Sequence, residues 1–346
     1  MKLTARAKYR YEYVHRLMVK EDPASPLVKR AFFAWVAWFL AAGAAHAYPS
    51  KPVRVLVPLT PGGGADIVAR VVSQRLTETL GQQFVVDNRP GAGGSVAYEL
   101  LARSAPDGHT LALGSGSMVS AQLMSKMSFD TLRDFAGVST LSAQPYIFCI
   151  NTSVPARNVQ EFVALAKAKP RAFNYASSGI GGLIHLTGEL FKISTGIEMT
   201  HVPYKGMATA YPDVIGGLVQ LAIGAQLSAS PHIKSGKLRV IATTKAKRMA
   251  SMPEVPTIAE SGVPGTAGFE VVQWYGLITP KRTPVETVNV LNREIVKALQ
   301  QAEVKSRMEA DGSEPTGSTP QAFDAFMRAE FAKWDKVIKT AGIMRD

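Results

Sequence analysis

The fold is decided by residues 53–76, which read VRVLVPLTPGGGADIVARVVSQRL. The β-branched run at 53–57 predicts a short buried strand, and the Pro/Gly cluster at 58–64 ends it. Apolar residues then recur at helical spacing at Ile67, Val68, Val71, Val72 and Leu76. The stretch therefore predicts a strand, a glycine-rich turn and a helix in direct succession.

The same alternation continues along the chain. Strands are predicted at 84–86 and 110–113, and each is followed by a glycine-rich turn. The alternation of strands and helices restarts with a strand at 146–150 and continues to a strand at 238–243. A strand at 271–278 and helices at 284–300, 302–310 and 321–341 close the chain. Alternating strands and helices favour a parallel sheet, with ligands at the carboxyl ends of its strands.

The length of 346 residues exceeds the roughly 250–300 beyond which single cores tend to split. We expect an α/β fold of two lobes with a mostly parallel sheet in each. The first lobe is expected to combine residues 48–143 with the closing segment 244–346, and the second to comprise residues 144–243.

An export signal is predicted in residues 1–47. Lys29 and Arg30 precede an apolar run at 31–40, and the small-residue pattern Ala45-His46-Ala47 follows. A basic region, an apolar region of about 7–15 residues and an A-x-A site are typical of a cleaved secretory signal, which predicts a mature chain beginning near Tyr48 and a periplasmic location. A membrane anchor is the less favoured alternative, and Met18 is an alternative start to Met1.

The charge favours small anionic partners over nucleic acid. The formal net charge is +12, and residues 1–47 hold eight Lys/Arg and three Asp/Glu, which leaves +7 on the remainder. This excess is dispersed, whereas a nucleic-acid binder concentrates it in a stripe. Cys149 is the single cysteine and lies in an apolar run, so we expect a buried thiol and no disulfide within the chain.

Two turns have the composition of anion-binding sites. Glycines let backbone N–H groups approach a ligand, and a helix N-terminus adds a positive dipole. One, the PGG turn (residues 60–66), follows the first strand, and the other, the SSG turn (residues 177–182), follows a strand of the second lobe. The candidate ligand-binding residues in them are Thr60, Gly62, Gly63, Gly64, Ala65 and Asp66, and Ser177, Ser178, Gly179 and Gly182. Asp66 is expected to cap its own helix.

Other candidates are weaker. Ser115 lies on a further strand-end turn, and Tyr204 lines the cleft or belongs to a structural turn. His185 and Glu189 have the i, i+4 spacing of metal ligands, although a zincin would have H-E-x-x-H, and a packed or capping histidine is favoured over a metal site. Neither a P-loop nor G-x-G-x-x-G is present, and Gly114-Ser115-Gly116-Ser117-Met118 lacks the last glycine of a G-x-S-x-G elbow.

Taken together, these motifs resemble the periplasmic receptors of tripartite tricarboxylate transporters, the Bug family. The resemblance spans almost all of the mature chain. It includes the runs Tyr48-Pro49-Ser50-Lys51-Pro52-Val53, Pro61-Gly62-Gly63, Asn88-Arg89-Pro90-Gly91-Ala92-Gly93-Gly94, Ala105-Pro106-Asp107-Gly108, Tyr175-Ala176-Ser177-Ser178-Gly179, Val202-Pro203-Tyr204-Lys205-Gly206, Trp274-Tyr275-Gly276-Leu277 and Lys333-Trp334.

The resemblance implies a type II periplasmic binding protein with a Venus-flytrap fold and no enzymatic activity. It also implies that backbone groups of the PGG and SSG turns hold the carboxylate of a di- or tricarboxylate, amino acid or aromatic acid, without a cofactor or metal. Transient membrane transporter subunits are the implied partners, and a monomer is expected. The alternative is a small-acid hydrolase or transferase on the same fold.

Residues 224–228 depart from the family pattern. Many relatives have an Asp-Asn-Leu-Pro-Ser-like run there, whereas this chain has Gly224 and Ala225 followed by Gln226, Leu227 and Ser228. This replacement removes an acidic or amide contact to a ligand, and Gly224 and Ala225 are themselves candidate ligand-binding residues. The departure predicts a cleft that admits a bulkier or less polar solute.

Overall fold

The computed structural model describes residues 48–91, 94–310 and 312–344. Residues Lys51–Asp346 form one compact unit. The predicted signal region, residues 1–47, lies outside the described residues. Within the described ranges, no helix combines the length and apolarity needed to cross a bilayer.

The strands alternate with helices as expected. The strands are β1 (Val53–Val57), β2 (Phe84–Asn88), β3 (Thr110–Ser115), β4 (Phe135–Asn151), β5 (Asn174–Ser177), β6 (Thr200–Pro203), β7 (Leu221–Ala225), β8 (Leu238–Thr243), β9 (Val272–Pro280) and β10 (Glu314–Pro315). The helices are α1 (Gly64–Leu80), α2 (Ser95–Ala102), α3 (Gly116–Met124), α4 (Thr131–Asp134), α5 (Val159–Ala168), α6 (Leu183–Thr195), α7 (Met207–Ile215), α8 (Gln226–Lys234), α9 (Val285–Leu299), α10 (Ala302–Glu309) and α11 (Pro320–Ala341). This order confirms the α/β class.

The strands form two sheets that share β4. The first sheet has the order β2-β1-β3-β9-β4, with β10 also paired to β4. The second contains β4, β7, β5 and β6, with β8 on β4. The 17 residues of β4 cross from one sheet to the other: Pro145 still pairs with Val272 of β9, and Tyr146 already pairs with Ala225 of β7. The molecule is thus a two-lobed α/β structure with a continuous strand between its lobes.

The expectation of mostly parallel sheets is confirmed only for the outer strands. The pairs β1 with β2 and β3, and β5 with β6 and β7, are parallel. Every pairing made by β4 is antiparallel, and so is β3 with β9. The physical reason is that the chain leaves the first sheet along β4 and returns along β9, so the outgoing and returning strands run in opposite directions. Strand-helix alternation predicts parallel pairing only within each lobe.

Strand direction brings the turns of both sheets to one boundary. Because β3 and β4 are both antiparallel to β9, they run the same way, and β1, β3 and β4 all point their carboxyl ends towards the second sheet. In the second sheet β7 is antiparallel to β4 and parallel to β5, so β7 and β5 both point their carboxyl ends towards the first sheet, and β7 ends opposite Tyr146. The turns after β1, β3, β5 and β7 therefore all face the boundary between the sheets.

The C-terminal helix α11 packs across this arrangement. It contacts β4 and α3, and it also contacts α6 in the second lobe. Phe323 fills the space where Gly137 and Gly276 lack side chains, since a Cβ at either glycine would lie 2.7 or 2.3 Å from its ring. The buried carboxylate of Glu330 accepts hydrogen bonds from the indole N–H groups of Trp274 (3.3 Å) and Trp334 (3.0 Å).

Candidate functional site

The PGG turn is held in place by the buried carboxylate of Asp66. Its Oδ2 accepts hydrogen bonds from the backbone N–H of Gly62 (3.0 Å) and from Nε of Arg70 (2.9 Å). Its Oδ1 accepts one from Nδ2 of Asn88 at the end of β2 (3.0 Å). Burial raises the pKa of Asp66, but the hydrogen bonds from Arg70, Gly62 and Asn88 outweigh it and bring the pKa below its ordinary value. Asp66 therefore shapes the turn from within.

This arrangement refines the expected roles of the turn residues. The expectation that Asp66 caps its own helix is wrong, because Asp66 lies in the first turn of α1 and the N-cap is Gly63, which makes no side-chain cap. The N–H of Gly62 is already used by Asp66. The first N–H groups of a helix have no acceptor within it, and in α1 these belong to Gly64, Ala65 and Asp66, while Thr60 and Gly63 are exposed. The turn thus presents backbone donors at an uncapped helix N-terminus.

The SSG turn has the same design at the start of α6. Gly182 is the N-cap and has no side-chain cap, and Ser178 is exposed. Gly179 and Gly181 have φ values of 136° and 72°, which favour glycine. Ser177 is fully buried, and its Oγ accepts the N–H of Gly179 (3.2 Å). The buried serine therefore shapes the turn, and the exposed backbone beyond it faces the boundary.

The helix α3, which follows β3, contacts both the SSG turn and the start of α6. Ser115 is the N-cap of α3 and is only 2% exposed, so its hydroxyl is turned away from solvent. A Cβ on Gly116 would come within 2.8 Å of Leu183, the first residue of α6, and a Cβ on Gly181 within 3.0 Å of Met124. Since β1 and β3 are neighbours, the PGG turn lies next to this contact along the same sheet edge.

Tyr204 is committed to a structural contact. Its hydroxyl donates to Oδ2 of Asp213 in α7 (2.7 Å), and its N–H donates to the carbonyl of Ser177 (2.9 Å). Burial, together with the hydrogen bond to the Asp213 carboxylate, raises the pKa of Tyr204 to about 12. Of the two roles considered for Tyr204, these contacts favour the structural one.

Gly224 and Ala225 end β7 at the boundary, as expected of ligand-site candidates, but the predicted widening at Gly224 is wrong. A Cβ at this position would lie 2.9 Å from the Tyr211 hydroxyl, which also hydrogen-bonds the Ser228 hydroxyl (3.0 Å). The space that a side chain at 224 needs is therefore filled by the buried Tyr211. Ala225 is half-buried and is the N-cap of α8, with no side-chain cap.

The pair His185 and Glu189 belongs to a buried hydrogen-bonded cluster. The two side chains approach to 3.9 Å, but Glu189 accepts a bond from the Tyr175 hydroxyl (2.6 Å) and two from Lys192 (2.9 Å each). Nδ1 of His185 accepts the N–H of Gly181 (3.0 Å). Across residues 48–91, 94–310 and 312–344, no group of three or more His, Cys, Asp or Glu side chains is placed to hold a metal ion.

Sequence reasoning missed His201. Its Nε2 lies 2.6 Å from Ser177 Oγ, and its ring stacks on His185 with centroids 3.8 Å apart. The parallel register of β5 and β6 pairs His201 with Tyr175, which places both rings on one face. Only this register reveals the contact, because 24 residues separate His201 from Ser177. A Ser-His pair is the chemistry of a hydrolase, but this hydroxyl is fully buried.

Comparisons with known proteins agree on one family. The model of the tripartite tricarboxylate transporter family receptor matches residues 68–343. Protein BugT of Bordetella pertussis is 35% identical over 301 residues, which cover 86% of this chain and 91% of BugT.

Solved structures share the fold along the same length. An adipate-bound R. palustris protein is 36% identical with a TM-score of 0.72, covering 86% of this chain and 100% of that one. MatC from Rhodopseudomonas palustris with bound malate is 29% identical, with a TM-score of 0.67 and coverage of 84% and 100%. The periplasmic binding protein BugD is 30% identical, with a TM-score of 0.68 and coverage of 86% and 100%.

Proposed function

Because this chain belongs to the family of tripartite tricarboxylate transporter receptors, we propose that it binds a small carboxylate between its lobes for delivery to membrane transporter subunits. The observation that carries the proposal is the convergence of four turns on the boundary crossed by β4. The helices α1, α3, α6 and α8 all begin there, and none has a side-chain cap. Unpaired N–H groups and the helix dipole favour a carboxylate at such a place.

The solute that fits best carries a carboxylate at each end. The PGG turn approaches the boundary from the first lobe and the SSG turn from the second, so each is suited to one anionic group. Malate and adipate, the solutes bound in the structures of two relatives, have this form. The proposed ligand contacts are the backbone N–H groups of Gly64, Ala65 and Asp66 in the PGG turn and the exposed backbone of Ser178 and Ile180 in the SSG turn.

The proposed lobes follow the sequence-based boundaries, with residues 48–143 and 244–346 in the first and 144–243 in the second. The crossing of β4 between Pro145 and Tyr146 supports the first boundary, and the end of β8 at Thr243 supports the second. The contact of α11 with α6 is the exception, because it joins the closing helix to the second lobe.

The location and mode of action are proposed on the same basis. The predicted signal region and the likeness to periplasmic relatives support export to the periplasm, where the chain acts as a monomer with transient transporter partners. Binding without turnover is proposed. The buried hydroxyl of Ser177 accepts a bond from its own turn, which suits a structural role better than a nucleophilic one.

A thermal-shift panel tests the proposal. Malate, adipate and citrate are compared with adipamide, which has the carbon chain of adipate but no carboxylate. Ligand binding to the folded state adds RT ln(1 + [L]/Kd), about 2.7 kcal/mol at one hundred times Kd, so at least one acid should raise the melting temperature while adipamide does not. Equal shifts with adipamide, or hydrolysis of the matching esters without any shift, would contradict the receptor function.

A further inference from the structure

The buried imidazole of His185 and the half-buried imidazole of His201 lie directly beneath the SSG turn. His185 of α6 and His201 of β6 stack with their ring centroids 3.8 Å apart and an angle of 13° between planes. Tyr175 of β5 stacks on the other face of the cluster, 5.0 Å from His201. His185 is only 6% exposed. The cluster of three rings therefore supports the SSG turn, after which α6 begins.

Each imidazole is hydrogen-bonded to the turn above it. Nδ1 of His185 accepts the backbone N–H of Gly181 (3.0 Å). Nε2 of His201 lies 2.6 Å from Ser177 Oγ, and the same oxygen accepts the N–H of Gly179 (3.2 Å). Gly179 and Gly181 have positive φ angles, so these bonds fix a backbone conformation that the local sequence leaves open.

The bond to Gly181 requires a neutral His185. Only an unprotonated ring nitrogen accepts a hydrogen bond, so protonation at Nδ1 replaces an N–H···N contact by two opposed N–H groups. Gly181 is buried, so loss of the acceptor for its N–H carries a free-energy cost. The protonation state of His185 therefore determines whether the SSG turn keeps this hydrogen bond.

The charges around the pair come from three elements. Glu189 and Lys192 of α6 form an ion pair, Tyr175 of β5 donates to Glu189, and His201 of β6 faces His185. Burial is the largest cause of the lowered pKa of His185. The Glu189 carboxylate acts to raise this pKa, and the Lys192 ammonium lowers it further. Burial, with His185 and Lys192 nearby, lowers the pKa of His201 to about 4. Both rings are therefore neutral at pH 7.

We propose that His185 and His201 are positioning residues, which in their neutral forms set the SSG turn for the solute, and that protonation of His185 weakens solute binding. The proposal rests on the receptor function proposed above. The sign follows from the acceptor role of Nδ1: affinity is fully present at pH 7.5 and falls as the pH drops below the ordinary histidine value of 6.5.

Two substitutions at His185 distinguish its role as a hydrogen-bond acceptor from the effect of its protonation. His185→Leu removes the acceptor, and His185→Asn places an amide oxygen near the position of Nδ1 without a titratable ring. Loss of a bond to a buried N–H should weaken malate or adipate binding about ten- to hundredfold in His185→Leu. His185→Asn should recover much of that loss. His232→Asn in the last turn of α8 is the matched control and should change neither the affinity nor its pH dependence.

Isothermal titration of malate and adipate from pH 5.5 to 7.5 gives the decisive measurement. The affinity ratio of wild type to His185→Asn should fall with decreasing pH, and protonation of the solute cancels in this ratio. A constant ratio, or a folded His185→Leu protein that binds as tightly as wild type, would overturn the proposal.

A second readout does not depend on any solute. Nitrogen NMR of the histidine rings should show Nδ1 of His185 unprotonated at pH 7.5, and the Gly181 amide should exchange faster in His185→Leu than in His185→Asn. A protonated Nδ1, or equal exchange in both variants, overturns the positioning role. Failure of the wild type to bind either acid, with these NMR results intact, counts against the proposed solute class and leaves the turn geometry standing.

Discussion

Gly63 and Gly224 illustrate, at the scale of single residues, two different uses of a missing side chain. Neither has a positive φ, so backbone strain does not explain them. A Cβ on Gly63 would meet no atom within 4 Å, whereas one on Gly224 would lie 2.9 Å from the Tyr211 hydroxyl. The first glycine leaves the N-terminus of α1 open to a ligand, and the second makes room for a tyrosine of the same lobe.

Gly63→Val is expected to reduce solute affinity without unfolding the protein. The φ of −87° and ψ of 170° suit a β-branched residue, and the space around Cβ is empty, so the melting temperature should change by no more than a few degrees. The branched side chain would stand between the solute and the helix N-terminus. Calorimetric titration should show a loss of at least about tenfold, equivalent to 1.4 kcal/mol. Unchanged affinity would show that the PGG turn is only a connection.

Gly224→Asp, which introduces the acidic residue that the family resemblance leads us to expect in this segment, should destabilise the protein. Its Cβ would overlap the Tyr211 hydroxyl, and overpacking of this kind costs about 1–3 kcal/mol. Tyr211→Phe removes that hydroxyl together with its bond to Ser228, so the double variant should lose less than the sum of the single changes. Urea unfolding of the four proteins measures the coupling. Strictly additive losses would contradict the steric explanation.

Sequence alone predicted the glycine turns better than the side chains that shape them. The PGG and SSG turns begin helices as expected because a strand, a glycine cluster and apolar helical spacing are local signals. Asn88 at the end of β2 bonds Asp66, and His201 of β6 contacts Ser177 of β5, so the roles of these side chains depend on contacts between segments that are distant in sequence. Such contacts follow from register, which a single sequence does not specify.

At the scale of elements, the bounds of two strands match prediction to the residue. The strands β1 at 53–57 and β8 at 238–243 are as expected. The strand β4 is longer than predicted, because a strand was expected only at 146–150 and the sequence before it carries Ser139, Ser142 and Pro145. Two register shifts, at 137/139 and 140/142, let this polar segment stay paired with β9.

The buried carboxylate of Glu330 links the helix α11 to the strand β9. Replacing Glu330 by Ala leaves the indole N–H groups of Trp274 and Trp334 without their acceptor, which should lower the free energy of unfolding by about 2–4 kcal/mol. Glu330→Gln keeps an acceptor oxygen and should lose less. Urea denaturation measures both, and Arg328→Ala on the exposed face of α11 should stay within about 0.5 kcal/mol of wild type. A loss in Arg328→Ala as large as in Glu330→Ala would refute the role of the carboxylate.

At the scale of the whole molecule, β4 joins the two sheets into one structure. The chain crosses the boundary without a break, hydrogen-bonded to β9 and β10 on one side and to β7 and β8 on the other. The contacts of α11 with α3 and α6 add a second connection. We therefore expect the stability of each lobe to depend on the other, although the solute-binding turns themselves lie at strand ends.

Cys149 in β4 offers a measure of this coupling. The thiol is buried, and burial raises its pKa to about 12, so labelling by a thiol reagent should require unfolding of the shared strand. A bound solute should slow labelling by about 1 + [L]/Kd when opening is faster than modification. The control is an exposed cysteine, Ala329→Cys in a Cys149→Ala background, which the thiol reagent should label without unfolding of the protein. Equally fast reaction of Cys149 in the native protein would contradict the expected coupling.

The uninterrupted course of β4 also limits how such receptors diversify. Exchange of one lobe between two relatives would join two different halves of β4. The register shifts of the joined strand would then have to match β8 in one lobe and β9 in the other. Recombination of whole lobes is therefore a poor route to new specificity here. Point substitutions in the exposed turns, which leave the strand untouched, are the open evolutionary path.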